Sequence, residues 1–199
     1  MQKRKDPVTT TNPFEAGIHY NEQKMRQVIL FFVHHVGTER LGKTKLMKLL
    51  YFADFNYFEK FDESITGAEY RRLRLGPVPT ESMPLPEAMA LDGDLEITRT
   101  HWGEERYTPL RDFDASLFSE DELQVLREVA VQWRDTPTKE IVAASHADPP
   151  WNAVANSEII PYYLVHYRNN YGELDLDDDE LNPPVELTAE GLGLPAIRR

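Results

Sequence analysis

The chain has 199 residues, no cysteine and a formal charge of −12. The missing cysteines exclude disulfides and thiolate metal sites, and the acidic balance disfavours unaided binding to a phosphate backbone, so no direct nucleic-acid partner is expected. One domain of this length can bury a core without covalent staples, and no apolar run approaches the ~20 residues needed to span a bilayer.

The opening residues Met1-Gln2-Lys3-Arg4-Lys5-Asp6-Pro7 lead into polar sequence rather than an apolar signal core, so a cytoplasmic location away from membranes is expected. Residues 1–19 lack periodicity and read as a flexible N-terminal arm. A compact domain is expected over 20–170, with an acidic tail over 171–199. Eight acids and no Lys or Arg fall between Glu173 and Glu190, which leaves −4 for everything else.

Within the domain, Met25, Val28, Ile29, Phe32, Val33 and Val36 form one stripe at helical spacing, predicting a helix over about Asn21–Val36 that Gly37 stops. A second helix follows Leu41-Gly42. It carries two adjacent apolar rows, Leu46, Leu49, Leu50, Ala53, Tyr57 and Met47, Tyr51, Phe55, Phe58, and a helix apolar over so much of its circumference is central to its domain. Lys43, Lys45 and Lys48 oppose the positive end of its dipole, which points to a role or an acidic neighbour. Ala68–Leu75 is predicted to extend as a strand that Pro77 and Pro79 terminate. Pro84–Leu91 allows a short helix, and 95–100 with 105–110 reads as a hairpin that could join Ala68–Leu75 in one sheet. Ser119 and Glu122 form a capping box for a helix with Leu123, Leu126, Ala130 and Trp133 on its core face. Thr136-Pro137 starts another, with proline at the first helical position and Ile141, Val142 and Ala144 on its apolar side. The fold class expected is α+β: a mostly helical single domain with a small antiparallel β-sheet.

Few residues suggest chemistry. His34 and His35 are adjacent on a helix and point about 100° apart, so they cannot chelate together, and no metal or cofactor site is expected. Asp175, Asp177, Asp179 and Glu186 imitate a calcium loop, but Glu180 stands where that loop needs glycine, and a solvated tail is the better reading. Gly42-Lys43-Thr44 lacks the upstream glycine of a phosphate loop. His146, Asp148 and Glu158 could form an acid/base group, yet a histidine ending a helix more commonly bonds the free carbonyls there, and no catalytic residue is assigned. The main polar cluster is Arg71, Arg72 and Arg74. On a strand, Arg72 and Arg74 would share a face with Tyr70 and grip carboxylates or phosphates, or else the arginines pair internally with Asp54, Glu59, Asp62 or Glu69.

Three ordered segments, Lys48-Leu49-Leu50-Tyr51-Phe52-Ala53-Asp54, Ile65-Thr66-Gly67-Ala68-Glu69-Tyr70 and Gly76-Pro77-Val78-Pro79, resemble the Panacea, or SocA-like antitoxin, domain of bacterial and phage toxin–antitoxin systems. Ser145-His146, Pro150-Trp151 and Glu158-Ile159-Ile160-Pro161-Tyr162 are similar to its closing segment. The resemblance covers roughly Tyr20–Arg168. It implies an α+β antitoxin, not an enzyme, that neutralises a cognate toxin protein by direct binding. The chemistry of the residues suggests a contact patch of Tyr70, Arg72, Arg74, Gly76, Pro77 and Trp151. The rival readings are an adaptor that passes a client to an ATP-dependent protease, an enzyme of unknown chemistry, and a module for phage proteins unrelated to toxins.

Overall fold

The computed structural model describes residues 18–168. The expected arm, apart from Ile18 and His19, and the acidic tail lie outside the described residues. Helix α1 (Glu22–Val36) starts where the Asn21 side chain accepts the Lys24 N–H and ends at Gly37, whose φ of 86° favours glycine. Its whole expected stripe is buried, with Leu30 and Phe31 added. Helix α2 (Lys43–Phe61) buries Lys45–Phe55 without a break and then Tyr57 and Phe58. That burial follows from its neighbours, since it packs against α1 and, of the elements introduced below, β2, α4, α5 and the closing 3₁₀ segment. Each large apolar side chain removed from water there contributes about 1.5–3 kcal/mol.

The prolines do not end the strand. Tyr70–Leu73 (β1) turns through Arg74-Leu75 into Gly76–Pro79 (β2), which pairs antiparallel with Tyr70 opposite Pro79 and Arg72 opposite Pro77. The Thr80 N–H donates to the Glu69 carbonyl. Alternation from that bond points the N positions of Pro79 and Pro77 away from β1, so the missing donors leave no gap in the ladder. The other edge of β1 bonds the 157–160 segment, through Arg72 N–H to Glu158 O, Ser157 N–H to Arg72 O and Ile160 N–H to Tyr70 O.

The expected common sheet is likewise replaced by two. Leu95–Arg99 (β3) and Glu105–Pro109 (β4) form a separate hairpin, after the short helix α3 (Leu85–Leu91). They cannot extend the first sheet, because both edges of β1 are already used and β2 is buried along its length. Helix α4 (Glu120–Trp133) has both bonds of the Ser119/Glu122 capping box. Its buried face centres on Val125, Leu126, Val129 and Ala130, rotated from the expected one so that Leu123 and Trp133 are only partly covered. Helix α5 (Thr138–Ala147) places Pro137 at the N-cap rather than inside the first turn, and buries Ile141 and Ser145. A single turn, α6 (Pro149–Asn152), and a 3₁₀ segment over Tyr162–Arg168 close the domain against α2. The described residues thus form a mostly helical α+β domain with two small antiparallel sheets.

Candidate partner-binding face

Two buried ionisable groups of α2 fix the β1–β2 hairpin. Asp54 accepts from the Thr66 N–H at 2.8 Å, from the Thr66 hydroxyl, and from the Tyr70 hydroxyl at 2.8 Å. Burial raises its pKa, and those hydrogen bonds offset only part of the rise. Lys48 has no exposed surface, and its Nζ donates to the Pro77 carbonyl at 2.7 Å. That carbonyl faces the side of β2 that no further strand covers, so the lysine satisfies an acceptor a neighbouring strand would otherwise take. Desolvation lowers the Lys48 pKa to about 7. Gly76, with φ 97°, lies over both Lys48 and α5; a Cβ there would sit 2.6 Å from Lys48 Cε and 2.6 Å from Ser145 Oγ. Of the three lysines opposing the dipole of α2, Lys43 alone forms ion pairs among the described residues, with Glu87 at 2.8 Å and Glu105 at 3.9 Å. Lys45 instead bonds the Arg134 and Thr136 carbonyls.

Above this anchor the arginines separate. Arg71 pairs with Glu69 at 2.8 Å, one of the internal partners proposed for it. Arg72 bonds no carboxylate among the described residues: its guanidinium donates to the Val154 carbonyl and lies 4.0 Å from the Trp151 ring centre. His146 stacks on the same indole at 4.3 Å, so it does not bond the helix-end carbonyls; the Asn152 amide takes the His146 carbonyl instead. Arg72 Nε, His146 Nε2 and Trp151 Nε1 are buried without hydrogen-bond partners among the described residues. Desolvation, then the nearby Lys48 and Arg72 charges, lower the His146 pKa and favour the neutral ring. Arg74 is exposed in the two-residue turn and has no ion pair among the described residues, with Leu75 48% exposed beside it and Ile159 42% exposed across β1.

The patch suggested by the sequence therefore splits in depth. Tyr70, Gly76 and Pro77 lie in the interior and build the hairpin, Arg72 and Trp151 are half-buried beneath it, and Arg74 alone is fully at the surface. The acid/base trio is not assembled. Asp148 accepts from Tyr51 and from both Arg168 Nε and Nη2, while Glu158 accepts the Ala155 N–H. Sequence reasoning grouped Lys48 with Lys43 and Lys45 and did not single it out as the anchor of the hairpin.

A family model, Antitoxin SocA-like, Panacea domain, matches residues 46–152, just over half of the chain. The chain belongs to the SocA-like Panacea antitoxin family. No curated protein and no solved structure matches it. The match runs from α2 to α6 and so contains both anchors, the hairpin and the Arg72–Trp151–His146 stack. Among the described residues no helix is long and apolar enough to cross a membrane.

Proposed function

We propose that this Panacea-domain protein neutralises a cognate toxin by stoichiometric binding, and that the face around the β1–β2 turn makes the contact. The observation that carries the site is the combination at that turn: an unpaired, exposed Arg74 beside exposed Leu75, on a hairpin that two buried side chains of α2 hold rigid. Arg72 and Trp151 support the turn from below, and Ile159 extends its apolar part. Such a surface suits a partner presenting carboxylates around an apolar centre.

Lys48 and Ser145 would, by residue type alone, suggest a base and a nucleophile. Both are fully buried, the serine hydroxyl donates to the Val142 carbonyl at 2.8 Å, and the Gly76 backbone fills the space between them. That packing favours binding over catalysis as the mode of action.

The test is co-expression with the product of the adjacent reading frame, followed by titration of the purified pair. Neutralisation should track the molar ratio and saturate near one to one. Complete rescue at a small fraction of the toxin concentration would instead mean that the toxin is being modified.

A further inference from the structure

The β3–β4 hairpin leaves one edge open. Thr100 N–H to Glu104 O and Leu110 N–H to Asp94 O set the alternation of the ladder, so the backbone groups of Leu95, Ile97 and Arg99 point away from β4. Among the described residues β3 pairs with β4 alone. Helix α3 packs against β3, yet Glu96, Thr98 and Arg99 stay exposed along the strand. The β4 edge is the covered one: Gly42 lies against the Glu105 carbonyl, and Thr38 meets Thr108.

The two most exposed large apolar side chains of the described residues flank this edge. Leu91 is 90% exposed and Trp102 86%. One lies six positions before Ile97 and the other five after it. Asp92 precedes the strand and Arg99 ends it, both exposed, with Asp92 already paired to Arg26 and Arg99 to Glu105.

We propose that the β3 edge pairs antiparallel with the β3 edge of a second copy of this chain, with the dyad at Ile97. That register opposes Ile97 to its own copy and Leu95 to Arg99, each pair exchanging two backbone bonds. It carries Trp102 toward Asp92 and Leu91 of the other copy, twice by symmetry. A self-complementary patch is what a two-fold interface requires, and pairing removes an open edge that otherwise invites aggregation. The proposal is independent of how any toxin is bound.

The test uses the full chain, whose lack of cysteine makes single-cysteine variants unambiguous. A hydrogen-bonded antiparallel pair holds its Cα atoms about 5.5 Å apart, inside the roughly 4.4–6.8 Å span of a disulfide. Ile97→Cys should therefore oxidise to a covalent dimer far faster than Val131→Cys, an exposed control on α4. Because Ile97 is partly buried, an equal mixture of Glu96→Cys and Thr98→Cys chains, both at exposed positions, gives a second test that spares the core. By sedimentation the wild-type mass should rise with concentration toward twice 23.0 kDa. The pair Leu91→Glu and Trp102→Ser should hold it at one. A wild-type chain monomeric into high micromolar concentration, a dimer that survives the double substitution, cross-linking no faster than the control, or edge protection seen only after toxin is added would each overturn the proposal.

Discussion

β1–β2 and β3–β4 are hairpins of similar length, yet their unpaired backbone groups are handled in opposite ways. β1 has strand partners on both sides, and the free edge of β2 faces α2, where Lys48 takes the Pro77 carbonyl. β3 faces solvent with its outer edge unpaired. The first hairpin is therefore part of the core, with only its turn available to a partner, while the second is a surface element whose edge itself is available. Substitutions of similar size should accordingly have unequal effects in the two places.

The largest effect is expected at Asp54. Asp54→Ala strands the Thr66 N–H and hydroxyl and the Tyr70 hydroxyl in the core, and should lower unfolding stability by about 3–5 kcal/mol in urea titrations, since each unsatisfied buried group costs roughly 1–3 kcal/mol. Gly76→Ala comes next, at about 2–4 kcal/mol, because it combines a positive φ with a methyl group driven against Lys48 and Ser145. A Gly76→Ala protein of unchanged midpoint would mean that the hairpin is not clamped there.

Lys48 gives a signature in pH. Its folded pKa, about 7, lies below the ordinary value of 10.5, so between those limits the unfolded chain binds more protons and stability rises with pH. Below about pH 7 both states are protonated and the full penalty of burying the charge is present; it is relieved as pH climbs. Unfolding free energies from urea titrations at pH 7 and 9.5 should differ by about 2–3 kcal/mol more in the wild type than in Lys48→Met, following 1.36 kcal/mol per pKa unit. Parallel profiles for the two proteins would refute this account of the anchor. In β3–β4, by contrast, Thr98→Ala on the exposed face should change stability by no more than about 0.5 kcal/mol.

Much of this architecture is legible in the sequence where local signals are strong. The α1 stripe, the Ser119 capping box and the 95–110 hairpin follow from spacing and end chemistry, and the two rows on α2 correctly mark it as central. The prolines of β2 misled because their usual effect on a ladder depends on which way each nitrogen points, a property of register rather than composition. The depth of Tyr70 and the split among the three arginines were hidden for a related reason. Strand alternation assigns faces, but not that Tyr51, Phe55 and Tyr162 cover Tyr70 or that Trp151 and the Val154 carbonyl, some 80 positions away, take Arg72. Lys48 looked like one of three equivalent charges, and only the packing of β2 separates it from the others.

The central claim is that the β1–β2 hairpin is a rigid platform whose turn contacts the toxin. Arg74→Ala with Leu75→Ala tests it most directly, because both side chains are exposed and neither anchors the fold. Melting temperature and toxin affinity measured on the same preparation should show an unchanged transition and binding weakened tenfold or more, a loss of about 1.4 kcal/mol or greater. Unchanged affinity with an unchanged transition would contradict the claim and move the toxin interface to another face of the domain.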